Sequence, residues 1–395
     1  MKKIKNYQIT IVCFILGAIL GLTLHKEVAV LQLIGDVFVR LIKLAVVPLI
    51  FTAIVNSVLN IHGTKNGKRM AGLTLAIFTI TTAISSTIGV INALIVKPGG
   101  TNVVVDTGDF TGSEIPTFSE FVLNLIPSNP FSALVEGNNF HVIVISAMLG
   151  IAMVIIGKDK LPTMCNIFDE FNKIIMKYIK GMVKIIPIGV FALTETAFAK
   201  FGKDMLGNLA KYFITIVISI VVIYIIYFVI LCIFSKGNIK ETIKGLSKIW
   251  IVAASTSSSA ATLPVSMQTC DDLKINPKVS RFVLPFGITM NMNGAAQYMA
   301  VTFIFIAQVY GTTLSIGSLL LAICMVTILV MATPGIPGGA MVPTTILLAT
   351  FNIPIEMFAI VLGLYSVVDM LDTTLNVTGD VVTSIVVQKI TQNKD

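Results

Sequence analysis

Asp369, Asp372 or Thr373, Asn376 and Asp380 follow one another near the C-terminus at offsets of 0, 3–4, 7 and 11 residues. That spacing lines their oxygens along one face of a helix. The helix that carries them is otherwise apolar, so the face is expected at membrane depth. An ionisable group there costs roughly 2.5–3.5 kcal/mol on insertion scales, and a cluster of them marks a functional site. Carboxylates, an amide oxygen and nearby backbone carbonyls are hard-oxygen ligands suited to an alkali cation. A carboxylate equally receives a substrate ammonium through charge-assisted hydrogen bonds. The blander alternative pairs these acids with lysines or turns them to the cytoplasm near the helix end.

Three further stretches break apolar sequence with polar or small residues. Asn291-Met292-Asn293-Gly294 interrupts a helix, where the glycine frees carbonyls and two amides add oxygens. Ser255-Thr256-Ser257-Ser258-Ser259 leads into Thr262-Leu263-Pro264 and offers hydroxyls and amide nitrogens that suit an anionic group. Ala332-Thr333-Pro334-Gly335-Ile336-Pro337-Gly338-Gly339 is the third. Irregular backbone at membrane depth is tolerated only where it is buried in protein or lines a wet cavity. In each half a small-residue hairpin tip precedes a helix bearing polar groups. That pairing is the expected mark of a transporter's internal repeat, with its site between the halves.

The elements that must hold these residues are spans. Of 395 residues, 55% are hydrophobic and only 12% charged, against about 25% charged in soluble domains. Mean hydropathy is +0.91, so the bilayer is the solvent for most of the chain. Apolar runs are expected as helices over 9–24, 28–59, 70–96, 162–198 and 206–234. The second holds Asp36, Arg40 and Lys43, and its length implies tilt. Residues 97–117 read as a polar loop, and 118–156 as a helix fragmented by Pro127, Pro130 and the polar run from Glu136 to His141. The basic start reads as part of a retained first span, with no small-residue cleavage site after it.

The net charge of +8 follows the positive-inside rule rather than a nucleic-acid footprint. Lys2, Lys3 and Lys5, then Lys65, Lys68 and Arg69, then Lys158 and Lys160, then Lys236, Lys240, Lys244 and Lys248 fall on one side. The acidic loop 106–114 falls on the other, with Lys200 and Lys203 as exceptions. Both termini are thereby expected in the cytoplasm of a cell inner (plasma) membrane protein. The five cysteines are scattered and read as small hydrophobes. His25, His62 and His141 form no metal-ligand cluster, and no serine nucleophile elbow is present. An aspartyl enzyme needs acids converging from different helices, whereas Asp369 and Asp380 share one. A channel would favour rings of polar residues without occluding hairpins. The residues therefore point to a carrier of a small charged or zwitterionic solute.

At these motifs the sequence resembles the dicarboxylate/amino acid:cation symporter family. The resemblance spans nearly the whole chain and rests on the serine tip ending Thr262-Leu263-Pro264, on Asn291-Met292-Asn293-Gly294 in place of NMDG, on Gly335-Ile336-Pro337-Gly338 and on Asn376-Val377-Thr378-Gly379-Asp380. It implies an all-α membrane protein with eight transmembrane helices and two re-entrant helical hairpins, arranged as inverted repeats. The implied assembly is a homotrimer whose transport domain moves as an elevator. Residues 1–69 would hold scaffold helices 1 and 2, and 70–115 transport-domain helix 3 with an extracellular loop. Residues 116–205 would hold scaffold helices 4 and 5. The transport domain would then fill 206–395, with hairpins at about 237–270 and 314–350.

By the same resemblance Gly287, Asn291, Asn376 and Asp380 form one sodium site. Thr289, Met292, Met331, Ala332 and Thr333 form a second, completed as the second hairpin closes. Asp369 holds the substrate ammonium, Ser258, Ser259 and Asn376 the α-carboxylate, with Thr373 nearby, and the stretch from Gly335 to Gly338 is the gate. Sodium is transported, and no other cofactor is implied. Three positions depart from the family pattern. Asp372 stands where acidic-substrate members place an arginine, and Ala295 replaces a threonine. Asn293 replaces the acid of a third sodium site, whose other positions are Phe78, Thr81 and Thr82, so that site is expected to be weakened. A buried acid facing a substrate carboxylate is repulsive and poorly solvated. The expectation is sodium-coupled symport of an amino acid with a neutral, polar or cationic side chain. The alternative is proton- or sodium-coupled glutamate or dicarboxylate symport.

Overall fold

The structure is a computed structural model that describes residues 6–24, 28–60, 67–100, 129–136, 139–201, 204–235, 239–331, 333, 335–354 and 357–392. Among these, every regular element is helical. The first three helices are α1 (Asn6–Leu24), α2 (Ala29–Asn60) and α3 (Gly67–Val96). A short α4 (Pro130–Glu136) precedes α5 (Asn139–Ile156), which matches the expected fragmentation of 118–156. A single 3-10 turn (Lys158–Lys160) leads into α6 (Pro162–Phe201), followed by α7 (Asp204–Phe234).

Beyond α7 the helices shorten and their ends carry the polar residues. α8 (Ile239–Thr256) and α9 (Ser259–Asp272) form one hairpin, and α12 (Ile316–Val330) and α13 (Met341–Thr350) the other. Between them α10 (Pro277–Met290) and α11 (Asn293–Val309) are two pieces of a helix broken at Asn291 and Met292. α14 (Phe358–Gln392) closes the chain. Residue type sets where several of these start. Ser258, Asn276 and Ser315 cap α9, α10 and α12, each side-chain oxygen accepting a backbone N–H of the first turn. Pro277 takes the first position of α10, where its missing N–H costs nothing.

Among the described residues, three helices hold stretches long and apolar enough to cross a membrane: Arg69–Val96, Leu206–Phe234 and Ile360–Thr391. α2 and α6 are also long, at 32 and 40 residues, with charged side chains such as Asp36, Arg40, Lys173 and Lys184 along them. The helices sort by packing into two groups. α1, α2, α5 and α6 lie against one another, while α3 and α7 to α14 pack around α11 and α14. α14 meets α1 and α6, and α13 meets α2, where the groups join. α11 is buried along nearly its whole length, as expected of a helix inside a large core.

The polar loop expected over 97–117 lies outside the described residues from 101 onward, as does the acidic loop 106–114. Ala332 and the basic residues Lys2, Lys3, Lys5, Lys65, Lys203 and Lys236 also lie outside them.

Candidate functional site

The site is built where the two hairpin tips and the broken helix reach the middle of α14. The tips touch: Ser258 Oγ donates to the Gly335 carbonyl at 3.0 Å, and the Ala260 N–H to the same oxygen at 3.2 Å. Ser258 also accepts from the Ala261 N–H at 3.2 Å, so one hydroxyl both starts α9 and ties the tips together. On the other tip Gly338 has a φ of +84°, a conformation open to glycine at little cost. That turn aims its N–H at Asp369 Oδ2, 3.0 Å away. The Tyr365 hydroxyl donates to Asp369 Oδ1 at 3.1 Å and accepts from the Ala340 N–H at 3.3 Å.

Behind the tips the broken helix lies directly on α14. A side chain at Gly294 would run into the Asp372 backbone, so only glycine allows this approach. As a result the Gly294 N–H reaches Asn376 Oδ1 at 2.7 Å. α11 has no side-chain cap of its own, and Asn376 supplies one from another helix. Asn291 Nδ2 donates to Asp380 Oδ1 at 2.8 Å and to the Asn376 carbonyl at 3.4 Å. Gly287 abuts the Asp380 carboxylate. Gly287, Asn291, Asn376 and Asp380 are thus brought together, and Asn291, Asn376 and Asp380 are buried.

The other expected residues divide. Ser259, Met292, Ala295, Thr333, Gly335, Asp369, Asp372, Thr373 and Asn376 line one narrow cavity between the tips and α14. Thr373 gives its hydroxyl to the Asp369 carbonyl at 2.6 Å. Met331 packs near Phe78 and Met290. Thr289 lies on an exposed face with its hydroxyl 3.3 Å from the Phe286 carbonyl, apart from this cavity. Thr82 Oγ1 donates to Asn293 Oδ1 at 2.9 Å, while Thr81 bonds back to Ile77 of its own helix at 2.9 Å and the Phe78 ring stacks near Phe286. Asn293 Nδ2 in turn donates to Asn291 Oδ1 at 3.0 Å and to the Tyr227 hydroxyl. An amide and two hydroxyls thereby bond one another where a carboxylate is expected in the family pattern.

Two contributors escaped the sequence reading. Gln297 Nε2 donates to Asp372 Oδ1 at 2.8 Å, and Tyr365 holds Asp369. Each sits four residues from a named site residue, Gln297 from Asn293 and Tyr365 from Asp369, and that one-turn spacing was the available signal.

Charge decides what the arrangement can do. Among the described residues the fully buried charged side chains are Glu195, Asp372 and Asp380, all acids. The two ion pairs among them, Lys173 with Asp169 and Lys248 with Asp272, lie on the surface. Asp372 and Asp380, each met by an amide N–H among the described residues, suit a cation from outside the chain. The starts of α9, α11 and α13 reach the same cavity through Ser259, Ala295 and Ala340, and the positive end of a helix suits an anionic group. The cavity's free volume is about 10 Å³, room for about one water. A solute therefore enters only as the tips part. A second cavity, of about 560 Å³, lies elsewhere between α7, α8 and α14, and its lining is almost wholly apolar.

Comparison with known proteins agrees with this chemistry. A family model described as "Sodium:dicarboxylate symporter family" matches residues 7–390. The chain is 31% identical to the proton/sodium-glutamate symport protein of Geobacillus stearothermophilus, covering 98% of this chain and 95% of that protein. It is 26% identical to the proton/glutamate-aspartate symporter of Escherichia coli (strain K12), covering 98% and 94%. It is also 26% identical to the C4-dicarboxylate transport protein of Solibacter usitatus, covering 100% and 95%. The molecule is a membrane-embedded, cation-coupled secondary transporter with sodium as a transported ion, and not an enzyme. A match over nearly the full length makes the chain a member of the sodium:dicarboxylate symporter family.

Proposed function

We propose that the chain carries an α-amino acid with a neutral, polar or cationic side chain across the membrane, driven by sodium. The observation that carries this reading is the pocket between the hairpin tips: Asp369 and Asp372 both line it, and none of its described lining residues is basic. In this reading Asp369 receives the α-ammonium. The start of α9, with Ser258 and Ser259, receives the α-carboxylate together with Asn376. One sodium sits among Gly287, Asn291, Asn376 and Asp380, and a second forms beside Met292 as the tip from Met331 to Thr333 closes. The hydrogen-bonded cluster of Asn293, Thr82 and Tyr227 leaves the third site weakened.

The working cycle follows from the tips. Sodium and solute neutralise the acids, the hairpins close over them, and the loaded group of helices slides against the other as an elevator. In this reading α1, α2, α5 and α6 belong to the scaffold, while α3 and α7 to α14 form the moving part. Eight spans and two re-entrant hairpins make up each chain, three chains assemble, and both termini face the cytoplasm of the inner membrane.

A second reading is favoured by the relatives' names, which speak of glutamate, aspartate and C4-dicarboxylates. It requires a solute carboxylate to sit beside Asp372. Uptake into proteoliposomes, with and without sodium, separates the two. The proposal expects saturable sodium-dependent uptake of non-acidic amino acids, and it fails if only glutamate, aspartate or succinate is carried.

A further inference from the structure

We infer that the solute carries a second cationic group, an ammonium or guanidinium on its side chain, seated against Asp372 and Gln297. This rests on the amino-acid reading above and narrows its substrate class. Asp369 and Asp372 stand three residues apart on α14 and line the same pocket, so a bound amino acid meets two carboxylates. Its α-ammonium balances one of them. Asp369 is already met at both oxygens, by the Gly338 N–H and the Tyr365 hydroxyl. Asp372 is 2% exposed, and its side chain is met by Gln297 Nε2 at Oδ1 alone among the described residues.

Gln297 supplies the second, independent observation. It is fully buried, yet its Oε1 has no hydrogen-bond partner among the described residues. A carboxylate and an amide oxygen are thus held together by one N–H, with acceptor capacity left over and no donor. Leaving such groups unmet costs about 1–3 kcal/mol each, more when charged. An ammonium brings three donors and a guanidinium five, and both form the stronger, charge-assisted kind of bond with a carboxylate. A neutral side chain leaves both acceptors orphaned. An acidic one adds a third negative charge to a pocket with no basic group among its described lining residues.

The test compares matched solutes on the purified full chain. Lysine, ornithine and arginine are set against Nε-acetyl-lysine and norleucine, which keep the length and lose the charge, and against glutamate. Sodium-dependent thermal stabilisation gives affinity, and sodium-driven uptake into proteoliposomes gives transport. At least one basic amino acid is expected to bind about tenfold or more tighter than its uncharged counterparts, as for a site that loses a required donor. Asp372→Asn is expected to bring that ratio to within about threefold. Norleucine, Nε-acetyl-lysine or glutamate binding as tightly as lysine overturns the inference, as does Asp372→Asn with the preference intact. The unmodified chain decides the question alone if the variant does not fold. A sodium-dependent response confined to neutral amino acids removes this inference only, whereas one confined to acidic amino acids removes the reading beneath it as well. No response to any amino acid removes the reading beneath it.

Discussion

Asp380 is 4% exposed and receives an N–H from Asn291, with Gly287 pressed against it. A neutral amide in its place keeps the shape and loses the charge that balances sodium. Asp380→Asn is expected to raise the sodium concentration for half-maximal uptake about tenfold to a hundredfold, on the scale of a charged hydrogen bond. A sodium titration of uptake checks it, and an unchanged titration removes Asp380 from the ion site. Asp369→Ala is expected to abolish uptake and solute-dependent stabilisation while the protein still melts cooperatively. At this scale the sequence was most informative about the acids, because charge inside an apolar run needs a reason. It was least informative about Gln297 and Tyr365. A buried amide and a buried phenol are ordinary in a core, and only contact with Asp372 and Asp369 marks them out.

Two hairpins and a broken helix do the positioning, and their ends carry the consequences. Ser258 caps α9 and ties it to Gly335, so Ser258→Ala is expected to cost about 1 kcal/mol for the cap and to loosen the closed tips. A cysteine placed at Thr333 should then react faster with a membrane-impermeant thiol reagent when sodium and solute are present; an unchanged rate would show that the tip contact does not hold the gate. Gly294→Ala would push a methyl into the α14 backbone and is expected to cost about 1–3 kcal/mol, read as a lower melting temperature together with weaker solute binding. These elements were legible in outline: small-residue tips, a polar break and fragmentation at Pro130 are all sequence features. What stayed hidden was which donors the tips would point inward. That depends on a positive φ at Gly338 and on the distance between segments far apart in the chain.

Two packed groups of helices meet along α14, where a side chain at Gly363 would run into Phe14 of α1. If one group slides past the other, fixing this contact stops transport without removing the site. Cysteines at Phe14 and Gly363, in a chain lacking its native cysteines and bridged by oxidation, are expected to block uptake while leaving sodium-dependent binding within about threefold. Persistent uptake by the bridged protein would argue against sliding at that surface. Composition announced a membrane protein at once, and apolar length alone marked α2 and α6 as expected spans, but it did not say which helices they join. Their place follows from packing against α1 and α5.

The central claim is that buried acids are balanced by cations the protein imports together with its solute. It is tested most directly by following a labelled amino acid into proteoliposomes under an inward sodium gradient. Accumulation above the outside concentration, collapsing when sodium is made equal on both sides and persisting when the pH difference is removed, is the expected result. Uptake that only equilibrates, at a rate indifferent to sodium, would contradict it.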